Sequence, residues 1–399
     1  MKKEVYIIGA GPGKTSELTK EAIRLIKDCK EVYSFERIAS LNSDLRVDIR
    51  VCTYGEIINR VNQSTAKSIA LLVSGDIGFF SIAKTLIPKL EENCSVKTVC
   101  GISSMQYFCS KIGVSYENIN VVSLHGRSKS ILGNVSYNNH VFVLTDGVNR
   151  ADKICIQLCE NMLFDIKVYV GENLSMENER IFEGTAYEGS KQRFDQLSVL
   201  IIENQSYADK NIPLFDEDFT RDDAPMTKEE VRWSSVNNLK IKSGDIVFDI
   251  GAGTGSVAIE MARKAYEGIV YAIEKNNDTF HLLKENIVKL RAFNVIPISG
   301  EASEEIKKLP IPDKAFIGGS GGNLKEIIKY LYTINPNIRM VVNAITLETL
   351  VTATEVFNDM KFKTKTVCIN CAKNRPVGNY NMMIANNPVY IITGEKYEE

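Results

Sequence analysis

The sequence predicts an α/β protein built from two domains. Two segments repeat the same order of features, which is a short β-rich run, a glycine-rich turn and a stretch with helical periodicity. The first segment begins at residue 4 and turns at Gly9 to Gly13, and the second begins at residue 245 and turns at Gly251 to Gly255. At about 100 to 200 residues per domain, a chain of 399 residues has room for both.

Composition and charge exclude several classes of partner. The chain has 44% apolar and 25% charged residues, and 48 basic residues nearly balance 50 acidic ones. This balance argues against nucleic acid or an anionic membrane as partner. The N-terminal apolar run is too short for a signal peptide, and no apolar run reaches the roughly 20 residues of a membrane span. We therefore expect a soluble, cytoplasmic protein.

The first domain is expected over residues 1–204, with strands at residues 4–8, 69–73, 96–99, 141–144, 167–170 and 197–202. The stretch at residues 115–120 is expected to divide it into two lobes. Residues 205–224 are polar and rich in aspartate, which indicates a linker.

The second domain is expected over residues 225–399, with strands at residues 247–250, 269–274, 295–299, 315–317, 339–343, 365–370 and 389–393. Helical patterns separate the first five strands, and the last two lie close enough to form a hairpin. The pattern predicts a seven-stranded, doubly wound sheet with a late antiparallel pair.

The second glycine turn has the features of a nucleoside-binding loop. A glycine turn between a strand and a helix exposes backbone N–H groups that suit an anionic group. Serine at position 256 replaces the third glycine of the dinucleotide fingerprint, which makes a dinucleotide less favoured. Glu274 ends the next predicted strand, where a carboxylate can accept hydrogen bonds from ribose hydroxyls. A bland alternative is that the turn only connects strand and helix.

These features resemble the class I S-adenosylmethionine-dependent methyltransferases, which have a Rossmann-like fold. The resemblance implies cofactor contacts from Thr227, Gly251, Ala252, Gly253, Thr254, Gly255, Glu274, Glu301 and Ala302. Residues 224–232, 316–322 and 341–350 further resemble the decarboxylating precorrin methyltransferases that act at carbon 15 of the corrin precursor. A sheet-end loop with four glycines would let a flat macrocycle approach the backbone closely. The implied substrate contacts are Lys228, Arg232, Gly319, Ser320, Gly321, Gly322 and Asn343.

The first glycine turn runs from Gly9 to Gly13 and is followed by Lys14 and Thr15. It is not a nucleotide phosphate loop, because residue 8 is isoleucine where that motif needs glycine, and because Pro12 lacks an N–H. Together with residues 74–81, 101–104 and 123–127, it resembles the tetrapyrrole methylase family, and within it the precorrin methyltransferases acting at carbon 5. That resemblance implies a two-lobed class III methyltransferase fold. It also implies cofactor contacts from Asp76, Phe79, Ser103 and Ser104, and tetrapyrrole contacts from Gly9, Gly11, Pro12, Gly13, His125 and Arg127.

Taken together, the two resemblances imply a bifunctional, decarboxylating C-methyltransferase of cobalamin biosynthesis. It would methylate precorrin-6Y, or a cobalt-containing counterpart, at carbons 5 and 15, with loss of the ring C acetate carboxylate and with two S-adenosylmethionine sites per chain. The substrate carries many carboxylates, so Lys373 and Arg375 are further candidates for a basic lining. The catalytic acid and base remain unknown, and we expect a homo-oligomer. An RNA or protein methyltransferase and a non-catalytic sensor of S-adenosylmethionine are the alternatives.

The nine cysteines do not predict a metal site. Cys368 and Cys371 have a metal-like spacing, but on a strand that spacing points the two thiols to opposite faces. Only three histidines are available as further ligands. We therefore expect no metal and interpret these cysteines as core thiols.

Overall fold

The computed structural model describes residues 2–124 and 130–396. The chain divides into two compact units, which are unit 1 with Met1–Arg127 and His140–Glu203, and unit 2 with Ser128–Asn139 and Asn204–Glu399. No helix of the described ranges is long and apolar enough to cross a membrane.

The described ranges alternate between helices and strands. In chain order the strands are β1 Lys3–Gly9, β2 Glu31–Ser34, β3 Arg50–Val51, β4 Ser68–Val73, β5 Cys94–Val99, β6 Asn120–Ser123, β7 His140–Leu144, β8 Lys167–Glu172, β9 Arg180–Thr185, β10 Ser198–Glu203, β11 Ile246–Ile250, β12 Ile269–Glu274, β13 Val295–Ser299, β14 Lys314–Ile317, β15 Arg339–Ala344, β16 Phe362–Ile369, β17 Ala372–Val377, β18 Tyr380–Ala385 and β19 Val389–Lys396. The helices are α1 Lys20–Asp28, α2 Glu36–Leu41, α3 Tyr54–Gln63, α4 Ala83–Glu91, α5 Ser104–Ile112, α6 Leu132–Ser136, α7 Ala151–Glu160, α8 Ala186–Ser190, α9 Glu229–Leu239, α10 Ser256–Lys264, α11 Asn277–Lys289, α12 Ala302–Glu305, α13 Leu324–Ile334 and α14 Leu347–Asp359.

Unit 1 contains two five-stranded sheets, one for each of the predicted lobes. The first sheet has the order β3-β2-β4-β1-β5 and is parallel throughout. The second has the order β6-β7-β10-β8-β9, in which only the β6–β7 pair is parallel. Strand β4 is an unbroken apolar run because both of its faces are covered: Ile69, Leu71 and Val73 pack into one core cluster, and Ala70 and Leu72 into the other.

Unit 2 contains the predicted seven-stranded sheet. Its order is β13-β12-β11-β14-β15-β19-β16, with the first five strands parallel and β19 antiparallel to both neighbours. This confirms the α/β class and the late antiparallel pair. The pair is not a simple hairpin, however, because the two-stranded ribbon β17–β18 is inserted between β16 and β19.

Six strands were absent from the sequence prediction, namely β2, β3, β6, β9, β17 and β18. Strand β3 has only two residues, and every residue of β18 is exposed. Strand β9 lies at the edge of its sheet and contains no buried residue. The periodicity that identifies a strand comes from a buried face, so these exposed strands have little of it.

Residues 130–139 belong to unit 2, whereas the sequence-based boundary places them in the N-terminal domain. All five residues of α6 are buried. The Ser136 hydroxyl accepts the N–H of Phe293 at 3.2 Å, and the Tyr137 hydroxyl donates to Asn294 Oδ1 at 3.2 Å. A side chain at Gly133 would place its Cβ only 3.0 Å from the carbonyl carbon of Tyr266. The segment is therefore packed as tightly as a core element of unit 2.

The interpretation of Cys368 and Cys371 as core thiols is wrong for Cys368. Its side chain is exposed because it lies on β16, an edge strand of the seven-stranded sheet. Cys371 is partly buried and follows the end of that strand.

Candidate functional site

Unit 2 has a cavity of about 620 Å³ at the carboxyl ends of its parallel strands. The loops after β11, β12, β13, β14 and β15 all contribute to its wall. Strand β11 comes first in the chain and pairs with β12 on one side and β14 on the other, so the order of the sheet reverses there. A parallel sheet binds its ligand at such a reversal, at the carboxyl ends of the strands.

The glycine turn after β11 packs directly on the glycine loop after β14. Gly251 has a φ of 74°, and a Cβ placed on it would lie 2.7 Å from the N of Gly319 and 2.8 Å from its Cα. Gly253 also has a positive φ, 55°, but a Cβ there would meet nothing closer than 3.8 Å. Glycine is therefore required at position 251, where two backbones approach closely. Beside Gly253, in contrast, there is open space.

Glu274 fixes the glycine turn from the neighbouring strand. Its Oε2 accepts the N–H of Gly253 at 2.7 Å, and its Oε1 accepts the N–H of Asn276 at 2.8 Å. A carboxylate has about four lone-pair sites, so two remain for hydroxyl donors such as those of a ribose.

Asp249 lies beneath this turn as a fully buried carboxyl. Neither of its oxygens has a hydrogen-bond partner among the described residues. Burial, and secondarily the charge of Glu274, raises the pKa of Asp249 to about 8. The group therefore holds a proton at neutral pH, because an unpaired buried anion is costly.

Three other buried polar atoms of the wall have no partner in the part of the chain described. They are Oε2 of Glu230, the hydroxyl of Thr254 and Nδ2 of Asn343. The Oδ1 of Asn343 accepts from the Ser235 hydroxyl at 2.9 Å, which fixes the amide. Unpaired buried groups of this kind are uncommon in folded proteins, so they fit a polar ligand that would satisfy them.

Most residues predicted for this site line the cavity. They are Thr227, Lys228, Gly251, Ala252, Gly253, Thr254, Glu274, Glu301, Ala302, Gly319, Ser320, Gly321 and Asn343. Two of the predicted glycines do not line it: Gly255 is the N-cap of α10, and Gly322 lies in a separate surface hollow beside α13.

The prediction that Arg232 contacts substrate is contradicted. Its side chain is fully buried, with Nη1 donating to Asp216 at 3.0 Å and Nη2 donating to the carbonyl of Leu214 at 2.8 Å. The guanidinium also lies 4.7 Å from the ring centre of Phe219. Arg232 therefore holds the segment before α9 in place. Lys373, a further candidate for the basic lining, is also paired within the protein. Its ammonium group forms ion pairs with Glu229 at 2.5 Å and Glu230 at 2.9 Å.

Several residues that line the cavity are not predicted from the sequence. They are Met226, Lys275, Asn276, Ile345, Ile369, Cys371, Asn386 and Asn387. None lies in a glycine motif, so spacing offered no signal for them. Lys275 is the most informative, because its Nζ lies 3.4 Å from Glu301 and would be 2.7 Å from a Cβ at Gly321.

In unit 1, three glycine loops meet at the carboxyl ends of β1, β4 and β5. Gly11 and Gly75 exchange backbone hydrogen bonds of 2.8 and 3.2 Å. A Cβ at Gly101 would lie 2.5 Å from the carbonyl oxygens of both Gly9 and Gly75. These glycines let the backbones of the three loops touch.

The predicted cofactor residues of unit 1 lie on the same loops. Asp76 Oδ1 accepts the N–H of Gly78 at 2.8 Å, and Oδ2 accepts the N–H of Gly101 at 3.1 Å. Ser103 caps α5, which begins at Ser104, and Phe79 packs edge-on against Phe142 with ring centres 6.0 Å apart. Their contacts with a cofactor stay a prediction.

The tetrapyrrole contacts predicted in unit 1 fall into two groups. The first group, Gly9, Gly11, Pro12 and Gly13, belongs to the opening loop. The carbonyl of Pro12 accepts a hydrogen bond of 3.0 Å from Arg37, and that of Gly13 accepts one of 2.7 Å from Asn42. His125 and Arg127 lie outside the described residues.

Comparison with known proteins links both units to one class of enzyme. The family described as "Precorrin methyltransferase domain" matches residues 217–396, and the family "Tetrapyrrole (Corrin/Porphyrin) Methylases" matches residues 4–189. The "Probable cobalt-precorrin-6B C(15)-methyltransferase (decarboxylating)" of Pyrobaculum calidifontis is 37% identical over 190 residues, which are 47% of this chain and 96% of that protein. The protein of the same description from Sulfurisphaera tokodaii is 36% identical over 184 residues, covering 45% of this chain and 96% of that protein.

A solved structure of a precorrin-6y C5,15-methyltransferase from Geobacter metallireducens is 37% identical, with a TM-score of 0.45, and the match covers 47% of this chain and 97% of that one. From the sequence matches, the chain belongs to the precorrin methyltransferases through its C-terminal half, and its N-terminal half carries a tetrapyrrole methylase domain.

Proposed function

We propose that the chain methylates a precorrin twice in cobalamin biosynthesis. Unit 2 would methylate carbon 15 and release the ring C acetate carboxylate as carbon dioxide, and unit 1 would methylate carbon 5. Each unit would bind its own S-adenosylmethionine, which gives two sites per chain. The single observation that carries the proposal is the unit 2 cavity, which is built from the loops that the sequence assigns to both a nucleoside and a flat macrocycle.

The cofactor half of the cavity is formed by the turn after β11 and by Glu274. When bound, S-adenosylmethionine supplies a methyl group on a sulfonium as the electrophile. The carboxylate of Glu274, already held by two backbone N–H groups, has free lone pairs for ribose hydroxyls. The unpaired hydroxyl of Thr254 and the open space beside Gly253 provide a further polar contact and room for the ligand.

The macrocycle half is formed by Gly319, Ser320 and Gly321 together with Asn343. Lys228 and Lys275 also line the cavity, paired at 3.9 Å with Asp216 and at 3.4 Å with Glu301, and their remaining N–H donors would bind the acetate and propionate groups of the ring. For a methyl transfer to carbon, the protein mainly has to align the two reactants and exclude water. In the decarboxylation the C–CO₂ bond breaks, and its electron pair enters the conjugated ring.

The RNA or protein methyltransferase alternative is not favoured. The matched families and relatives are methyltransferases of tetrapyrroles. A sensor without catalytic activity would need only the cofactor half of the cavity, whereas the described cavity extends over the macrocycle half as well.

The direct test is to incubate the protein with S-adenosylmethionine and a precorrin-6 fraction and to weigh the products. We expect two methyl additions and one loss of carbon dioxide. A sample without S-adenosylmethionine should leave the tetrapyrrole mass unchanged and serves as the control. An unchanged mass in the complete mixture would reject the proposal.

A further inference from the structure

Arg37 lies between two of the glycine loops of unit 1. It belongs to α2, which follows β2 at the carboxyl edge of the parallel sheet. Its Nη1 donates to the carbonyl of Pro12 at 3.0 Å, and its Nη2 donates to the hydroxyl of Ser74 at 2.6 Å. Pro12 lies in the opening loop, and Ser74 begins the loop that carries Asp76. The guanidinium is therefore placed at the expected tetrapyrrole site.

The charge of Arg37 has no counterion among the residues that the structure describes. Within the two described stretches of chain, no carboxylate oxygen lies within 4.0 Å of it, and its only hydrogen-bond acceptors are neutral. Two other partly buried arginines are paired, namely Arg46 with Asp48 and Arg150 with Asp152. Arg37 is partly buried, and this burial lowers its pKa. A guanidinium remains protonated in proteins, so the cation is held partly out of water without compensation.

The guanidinium also has N–H donors that form no hydrogen bond to the described residues. It has five N–H groups, of which the bonds to Pro12 and Ser74 use two. The remaining donors and the planar shape suit the two oxygens of a carboxylate, which arginine binds in a bidentate manner.

We propose that Arg37 binds a carboxylate of the acidic tetrapyrrole in unit 1 and so positions the ring at the opening glycine loop. The inference rests on the proposed function of unit 1 and names one of its substrate-binding residues. An anionic side chain of the ring would supply the missing counterion. The hydrogen bonds to the neutral acceptors Pro12 and Ser74 would fix the orientation of the guanidinium for this contact.

A purely structural role for Arg37 makes a different prediction. In that case Arg37 would only fasten the opening loop to α2. The loop has a second attachment, because Asn42 Nδ2 donates to the carbonyl of Gly13 at 2.7 Å. Replacing Arg37 should therefore leave the loop attached, and loss of charge can be separated from loss of folding.

The experiment uses the full chain with Arg37→Gln, Arg37→Lys and, as a neutral control, Ser74→Ala. Arg37→Gln keeps an N–H donor for Pro12 but removes the charge, and Ser74→Ala removes one hydrogen bond but keeps the charge. Measurements are the KM of the tetrapyrrole in carbon 5 methylation at several salt concentrations, the KM of S-adenosylmethionine and the midpoint of thermal unfolding. Carbon 15 methylation in the same samples provides the internal reference.

We expect Arg37→Gln to raise the tetrapyrrole KM by about 10- to 100-fold, the effect of losing a hydrogen bond to a charged group. The salt dependence of that KM should weaken, the KM of S-adenosylmethionine and the unfolding midpoint should change little, and Arg37→Lys should restore part of the affinity. Ser74→Ala should have a smaller effect. An unchanged tetrapyrrole KM in Arg37→Gln, or a rise that merely follows a lowered unfolding midpoint, would overturn the inference.

A binding measurement separates this inference from the proposed function. Binding of uroporphyrin III, a tetrapyrrole with acetate and propionate groups, can be followed through its own fluorescence. If the chain binds this probe but methylates no precorrin, the proposed function fails. Weaker binding by Arg37→Gln would still support the carboxylate site, and equal binding by both proteins would refute it.

Discussion

Replacing Asp249 by asparagine tests the buried carboxyl beneath the unit 2 cavity. The structure raises its pKa from an ordinary 3.8 to about 8. Between these two values the folded state keeps a proton that the unfolded state has released, so the free energy of unfolding falls as pH rises. The slope is about 1.4 kcal/mol per pH unit, which amounts to roughly 6 kcal/mol over the whole interval. In Asp249→Asn the group is neutral at every pH, and this slope disappears.

Trp233 provides the assay, because it is the single tryptophan of the chain and lies on α9 of unit 2. Its indole N–H donates to the carbonyl of Leu214 at 3.2 Å, so its fluorescence should change when unit 2 unfolds. Urea unfolding of both proteins between about pH 5 and pH 8 gives the difference in unfolding free energy. We expect the variant to gain stability relative to the wild type by about 1.4 kcal/mol for each pH unit.

A difference that stays constant over this pH range would refute the reasoning, because it would mean that the folded and unfolded states of the wild type release this proton together. The Glu274→Gln variant gives a second check. The charge of Glu274 contributes to the raised pKa of Asp249, so the slope due to Asp249 should end at a lower pH when that charge is removed.

Two glycine substitutions and their matched controls test close packing. Gly251→Ala should lower the unfolding free energy of unit 2 more than Gly253→Ala does, because its Cβ would collide with the backbone of Gly319, whereas a Cβ at Gly253 has space and should cost only the roughly 1–2 kcal/mol of a left-handed residue. Equal unfolding free energies of the two variants would contradict this. Gly133→Ala in α6 should lower the unfolding free energy by about 1–3 kcal/mol through overpacking. Gly55→Ala in α3, where the Cβ would meet nothing within 4 Å, should raise it by about 0.5–1 kcal/mol. Circular dichroism during denaturation checks both, and a stabilising Gly133→Ala would refute the packing of α6.

The sequence predicts those parts of the fold that have a buried face or a special backbone. Strand β4 is identified by a continuous apolar run, because helices cover both faces of a central parallel strand. The ribbon β17–β18 has mostly exposed residues, so no burial pattern indicates it. The position of α6 in unit 2 is equally hidden, because it depends on contacts with Phe293 and Asn294, which are far away along the chain.

In the candidate sites, too, some residues are predictable from the sequence and others are not. Glycines such as Gly251 are predictable because a positive φ and a close backbone approach leave no other residue type. The role of a charged residue depends on partners that the sequence does not place beside it. Arg232 was expected to contact substrate but pairs with Asp216. Arg37, which lies in no motif, lies at a glycine loop and has no counterion among the described residues.

Calorimetric titration with S-adenosylmethionine tests the central proposal most directly. Two equivalents should bind per chain, and Asp76→Ala and Glu274→Ala should each reduce the number to one while sparing the methylation carried out by the other unit. Circular dichroism verifies that the variants fold. One equivalent bound by the wild-type chain with both units folded, or loss of both methylations in either variant, would contradict the proposal of two independent methyltransferase sites.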